Sequence, residues 1–162
     1  MDAQASRDLM ASFDVFDNAL LFHSYTHYMR DYELLIEVHV SPAEPGTYSY
    51  LFRYCVEALL RTSVPSEVYR ASLDERLIEY ETGKDLDGFV WGVNWSPLVP
   101  GWQLIEPSER AERWIKELGL TFHEVHIDTT AYAIALVFAD LTITRRSDRL
   151  DPGINRTYIP LA

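Results

Sequence analysis

The chain is poor in several residues that would narrow its class. One cysteine, Cys55, stands among 162 residues, with two lysines and seven glycines. A lone thiol cannot close an internal disulfide, which favours a reducing compartment over secretion. No secretory apolar segment opens the sequence, and no run of about 18 apolar residues is long enough to span a bilayer. The expected location is therefore cytoplasmic, away from membranes. Positive charge is also scarce: 14 Lys and Arg against 25 Asp and Glu leave a net charge of −11. That balance argues against non-specific affinity for nucleic acid or anionic lipid. Linear catalytic signatures are missing too. There is no Gly-x-Ser-x-Gly elbow, no glycine-rich phosphate loop, no Cys-x-x-Cys and no His-Glu-x-x-His. No cofactor is implied.

What is present suits one well-packed domain. Hydrophobic residues make up 48% and aromatic residues 13% of the chain, too many for a disordered polymer. Period-two alternation dominates. Residues 19–25 (ALLFHSY) and 32–40 read as two strands, with 26–31 closing a longer hairpin loop. Segment 47–62 supports two readings: a strand placing Tyr48, Tyr50, Phe52, Tyr54 and Val56 on one face, or a helix. Its aromatic and β-branched content favours the strand. Residues 74–95 predict two further strands around a Gly83–Gly88 loop. A short strand follows in 102–106, after the breaks at Pro97, Pro100 and Gly101.

One amphipathic helix is clear over about 108–118. Ser108 begins it, Ala111, Trp114, Ile115 and Leu118 form its apolar stripe, and Gly119 ends it. A short helix is possible near 66–71, where Pro65 and Glu67 fit a first turn. Strands over 121–128 and 131–145 complete the pattern. The second is apolar on both faces between Ile134 and Phe138, so cover on both sides is expected there, and Asp140 marks a bulge or an edge. Short connections favour antiparallel pairing. The expected class is thus α+β: a mainly antiparallel sheet of about seven strands, with residues 1–12 a flexible N-terminus, 13–146 a single domain and 147–162 a loose tail.

Two surfaces are candidates for function. Glu124, His126 and Asp128 alternate on one strand face, a pattern usable for acid–base work or metal binding. The plainer reading of the same row is a solvated polar face. Between Glu67 and Asp87, seven acids outnumber three bases, and tryptophans follow at Trp91, Trp95 and Trp102. Acids beside Tyr and Trp anchors suit a basic protein partner, with Glu79, Glu81, Asp85, Asp87, Trp91 and Trp95 as the contact set. The plain alternative is that the tryptophans are core and the acids only solvate. Asp85, Asp87 and Gly88 do not make a calcium loop, because the ligand positions fall on Gly83 and Asn94. Cys55, inside an apolar run, reads as a buried thiol of raised pKa. A homodimer through a self-complementary sheet edge or aromatic surface is a further option.

The phrasing of FDVFDNALLFHSYTHYMRDYELLIE, YLFRYCVEALLRTSV, the Trp91–Trp95 neighbourhood and FHEVHIDTTAYAIALVFADLTITR resembles the YxiG-like family of small bacterial proteins, over about residues 13–146. The resemblance implies no catalytic residues. It suggests an accessory role beside toxins, as an immunity-type neutraliser. The expectation is a non-enzymatic protein-binding module. The alternative is a small-molecule or metal-binding protein, or an enzyme, using Glu124, His126 and Asp128.

Overall fold

Alternating strands in nearly unbroken antiparallel succession build the molecule. The structure, a computed structural model, describes residues 3–13, 15–26, 29–39, 44–71 and 96–146. Its elements are α1 (Ala3–Ser12), β1 (Ala19–Tyr25), β2 (Tyr32–Val38), β3 (Gly46–Arg53), β4 (Glu57–Thr62), α2 (Ser66–Ala71), β5 (Ser96–Ile105), α3 (Glu109–Leu118), β6 (His123–Thr129), β7 (Tyr132–Phe138) and β8 (Asp140–Arg145). The strands expected in 74–95 and the tail 147–162 lie outside the described residues.

Among the described residues eight strands form one antiparallel sheet in the order β4-β7-β6-β5-β1-β2-β3-β8, where about seven were expected. The β1–β2 hairpin is as read from the sequence, with Tyr25 facing Tyr32. Segment 47–62 is neither one strand nor a helix. It breaks at Tyr54, whose φ is +50°, and its halves pair with different strands: β3 with β8 and β4 with β7. The long strand expected over 131–145 breaks at the same level. Arg53 faces Asp140 and Glu57 faces Val137, so 54–56 oppose only 138 and 139. One extra residue makes a β-bulge, which bends a strand pair and increases its twist. The backbone carries pairing through the bend, with Val56 N–H donating to Val137 and Ala139 N–H to Arg53.

The bend closes the architecture. β1, β2, β3 and β8 make one wall, β5, β6, β7 and β4 the other, and the walls join again where Ala19 and Leu20 of β1 pair with Pro97 and Ser96 of β5. Residues of both walls fill the space between them, among them Leu34, Ile36, Tyr50, Phe52, Ile127, Leu136 and Phe138, all essentially solvent-free. Phe52 meets Phe138 edge-on at 4.9 Å. β5 is longer than expected, because its prolines sit beside a register shift between Leu98 and Gly101, where a missing N–H costs no ladder bond.

Helix α3 matches the sequence closely. Ser108 caps it, accepting from Ala111 N–H, and Gly119 ends it in the left-handed region at φ +68°. It covers the outer face of β6 and β7, burying Val137 against Ala111 and Phe122. That supplies the cover expected on both sides of 134–138. Residues 1–12, expected as a flexible end, instead include α1. Its Met10 is buried in the core and Leu9 packs against it, an apolar side too brief to register as a period in the sequence.

Truncating Phe52 to Ala removes a ring enclosed by both walls. Urea unfolding is expected to register a loss of about 3–5 kcal/mol, with the transition staying cooperative.

Candidate functional site

Val125 and Ile127 of β6 face the core and are fully buried, so period-two alternation turns Glu124, His126 and Asp128 to the outer face. The sequence places these residues in one row; α3 decides what becomes of them. Where the helix begins, Ser108 Oγ donates to Glu124 Oε2 at 2.6 Å while accepting from Ala111 N–H at 3.0 Å. Arg110 Nη1 donates to Glu124 Oε1 at 2.9 Å, and His126 Nε2 lies 2.9 Å from the same oxygen. Glu124 is thus buried rather than solvated.

Arg110 also reaches across to β4. Its Nε and Nη2 donate to Glu57 Oε2 at 2.9 and 2.6 Å. Trp114 Nε1–H donates to Glu57 Oε1 at 2.7 Å, and Arg113 pairs with the same oxygen. The helix is therefore fastened to two strands by a guanidinium held between two carboxylates. Arg113 thus adds a second cation to Glu57.

Burial by itself pushes the Glu57 carboxyl up, but hydrogen bonds from Trp114 and Arg110 and the charges of Arg110 and Arg113 outweigh it and hold the group below its ordinary range. Glu124 is likewise pushed up by burial and brought lower still by Ser108, His126 and Arg110. Both carboxylates are ionised with their oxygens engaged. Such groups clamp a helix well and are poorly placed to exchange a proton or ligate a metal.

The network does not extend to Asp128: no hydrogen bond or ion pair joins it to His126 or Glu124 among the described residues. Asp128 instead sits between Gly101 and Ala133, two residues along β6. Among the described residues no three His, Cys, Asp or Glu side chains converge as a metal-ligand set. His23 Nδ1 lies 2.8 Å from the Tyr32 hydroxyl, and burial lowers its pKa. Burial also pushes the Cys55 thiol up to about 11. A half-open depression of about 320 Å³ lies at the β1–β5 seam, lined by Asp17, Asn18, Ala19, Glu37, His39 and Pro97. Its one deeply buried polar group, Asn18, already accepts from His39 N–H at 2.7 Å.

Of the expected partner-contact residues, Glu79, Glu81, Asp85, Asp87, Trp91 and Trp95 all lie outside the described residues. Trp102 is core-facing, half-buried and edge-on to Tyr50 at 5.2 Å. The apolar stripe of α3 is only partly used: Ala111 is buried, yet Ile115, Leu118 and, beyond the cap, Leu120 are 38, 51 and 50% exposed. The sequence reading missed Glu57 and Arg110. The Ser108 cap was legible, but nothing local tells that Arg110 turns inward.

The sequence from residue 4 to residue 154 matches the family described as YxiG-like protein. The chain belongs to the YxiG-like family. No curated protein matches it. Family membership covers α1 as well as the sheet and α3, so both helix attachments lie within the matched span. Among the described residues no helix is long and apolar enough to cross a membrane.

Two outcomes follow from the clamp. Arg110→Met strands Glu57 and Glu124 without their shared cation and is expected to cost about 3–5 kcal/mol in chemical unfolding. Because both folded carboxyl pKa values lie below the unfolded ones, the clamp contributes fully above about pH 4.5 and is lost as pH falls through the folded values. A Glu57→Gln, Glu124→Gln variant should therefore show a flatter stability profile across that acid range than the parent, read by thermal melts at stepped pH.

Proposed function

We propose that the chain is a non-enzymatic protein-binding module, an immunity-type neutraliser of a basic toxin domain, acting in the cytoplasm. The observation that carries this reading is the unused part of the α3 stripe. Ile115, Leu118 and Leu120 expose apolar surface on a helix otherwise rich in charge. Apolar residues rimmed by polar ones are the usual anatomy of a contact surface. The net charge of −11 supports a basic partner, since long-range attraction speeds encounter without adding a contact. Glu79, Glu81, Asp85, Asp87, Trp91 and Trp95 enter this reading from the sequence alone. The competing reading, chemistry or metal binding at Glu124, His126 and Asp128, has less support because both Glu124 oxygens are already engaged.

The test is co-expression with the product of a toxin-like reading frame beside the gene. Growth rescue and a stable purified complex are expected. Leu118→Asp with Leu120→Asp should weaken the complex at least about tenfold, or about 1.4 kcal/mol, in calorimetry. Folding should be unaffected, because both side chains are half-exposed. Absence of rescue and of complex formation would sink the reading.

A further inference from the structure

Helix α3 is an excursion between two strands that pair directly. β5 ends and β6 begins side by side, with Leu104 facing Val125 and Ile105 facing Glu124. Residues 106–122 lie outside that ladder, so lifting the helix breaks no strand pairing. Its apolar hold is slight as well. The main core joins buried side chains of α1 and of both walls, whereas α3 gives a separate small cluster one buried side chain, Ala111, which packs with Phe122 and Val137 beside partly buried Trp114.

What fastens α3 is ionic. Ser108 and Arg110 hold the two oxygens of Glu124, and His126 adds a neighbour from β6. Arg110, Arg113 and Trp114 hold the oxygens of Glu57. Behind Glu57, Cys55 Sγ donates to its carbonyl and Tyr25 of β1 lies within electrostatic reach. The Arg110, Glu57 and Glu124 side chains are only 25, 18 and 7% exposed, so dissolved salt screens them weakly. Protonation acts differently. A neutral carboxyl no longer offsets the cost of keeping the Arg110 charge out of water, and that cost vanishes when the helix moves into solvent.

We propose that α3 is an acid-released latch: protonation of Glu57 and Glu124 frees the helix as one unit while the sheet stays folded. Opening of part of a structure is favoured where a segment has few buried apolar contacts and shares no ladder with the rest. Although burial pushes both carboxyls up, the donors and cations around them hold both below their ordinary range. The latch therefore holds above about pH 4.5 and opens as pH falls through the closed-state values. Release uncovers Val137, which is solvent-free beneath the helix, and carries Ile115 and Leu118 away with it. The inference rests on the clamp and the β5–β6 ladder, and holds whatever meets the exposed stripe.

A helix this short is marginal in water once undocked, so release is visible as lost amide protection. Hydrogen exchange of the full chain, stepped from about pH 7 to about pH 3.5 and corrected for the intrinsic rate, tests the proposal. The β2 amides of Leu34 and Ile36 serve as the internal reference. Protection of α3 is expected to fall at least about tenfold relative to β2 below about pH 4.5, and to survive about 1 M salt at neutral pH. Glu57→Gln with Glu124→Gln should show the loss already at neutral pH and little more in acid. The parent chain's own pH series decides the matter without that variant. Loss of protection by α3 and β2 together overturns the proposal, as does an α3 that stays protected throughout the acid range. So does release by salt at neutral pH to the same extent as by acid.

Discussion

Three residues opposed by two, Tyr54 to Val56 against Phe138 and Ala139, are the constraint on which the rest of the structure depends. The bulge lets two long strands leave one wall and continue in the other without losing their pairing. Without it, 46–62 and 132–145 would run straight, and Phe52 and Phe138 would line separate faces. With it, the two rings meet edge-on inside one core. The corner is held from outside as well. Asp31 accepts from Tyr54 N–H at 2.9 Å and from Arg30 at 2.9 and 2.8 Å, while Cys55 N–H donates to the Arg30 carbonyl. Arg30 in turn lies over the Tyr54 ring at 4.7 Å. A tyrosine in the left-handed region is strained, and these bonds fix it there.

The same corner places Glu57, the first residue of β4, beneath α3. Ion pairs then supply what apolar packing supplies in most helix–sheet contacts. Only Ala111 is fully buried on α3, whereas Arg110, Arg113 and Trp114 all meet one carboxylate. An ion network of this kind adds directional specificity more than net stability. It selects one rotation of the helix, and that rotation leaves Ile115 and Leu118 exposed among the described residues.

How much was legible depended on the range of the interaction. The β1–β2 hairpin, the Ser108 cap and the Gly119 stop were readable because each is settled within a few residues by alternation or capping chemistry. The corner was legible only on one strand: Asp140 marked the irregularity beside it, whereas alternation runs through Tyr48, Tyr50, Phe52, Tyr54 and Val56 as if that strand continued. Helix α1 was missed for a related reason, since Leu9 and Met10 offer too short an apolar side to establish a period. At the site, Glu124 and His126 were recognised as neighbours. Their meaning changed because Ser108 and Arg110, distant along the chain, arrive from above.

By itself the sequence determined the material of the protein: a domain of alternating strands with one capped helix, an excess of acid, a single inert thiol and no linear catalytic motif. Those properties are local or additive, so they survive without knowledge of the fold. Tertiary structure alone decided that the strands enclose one core between two walls, that Glu124 is a buried partner of Arg110 rather than an exposed acid, and that Glu57 of β4 sits beneath α3. Each of these depends on pairing between segments tens of residues apart, where one bulged residue changes which strand, face or helix a side chain meets.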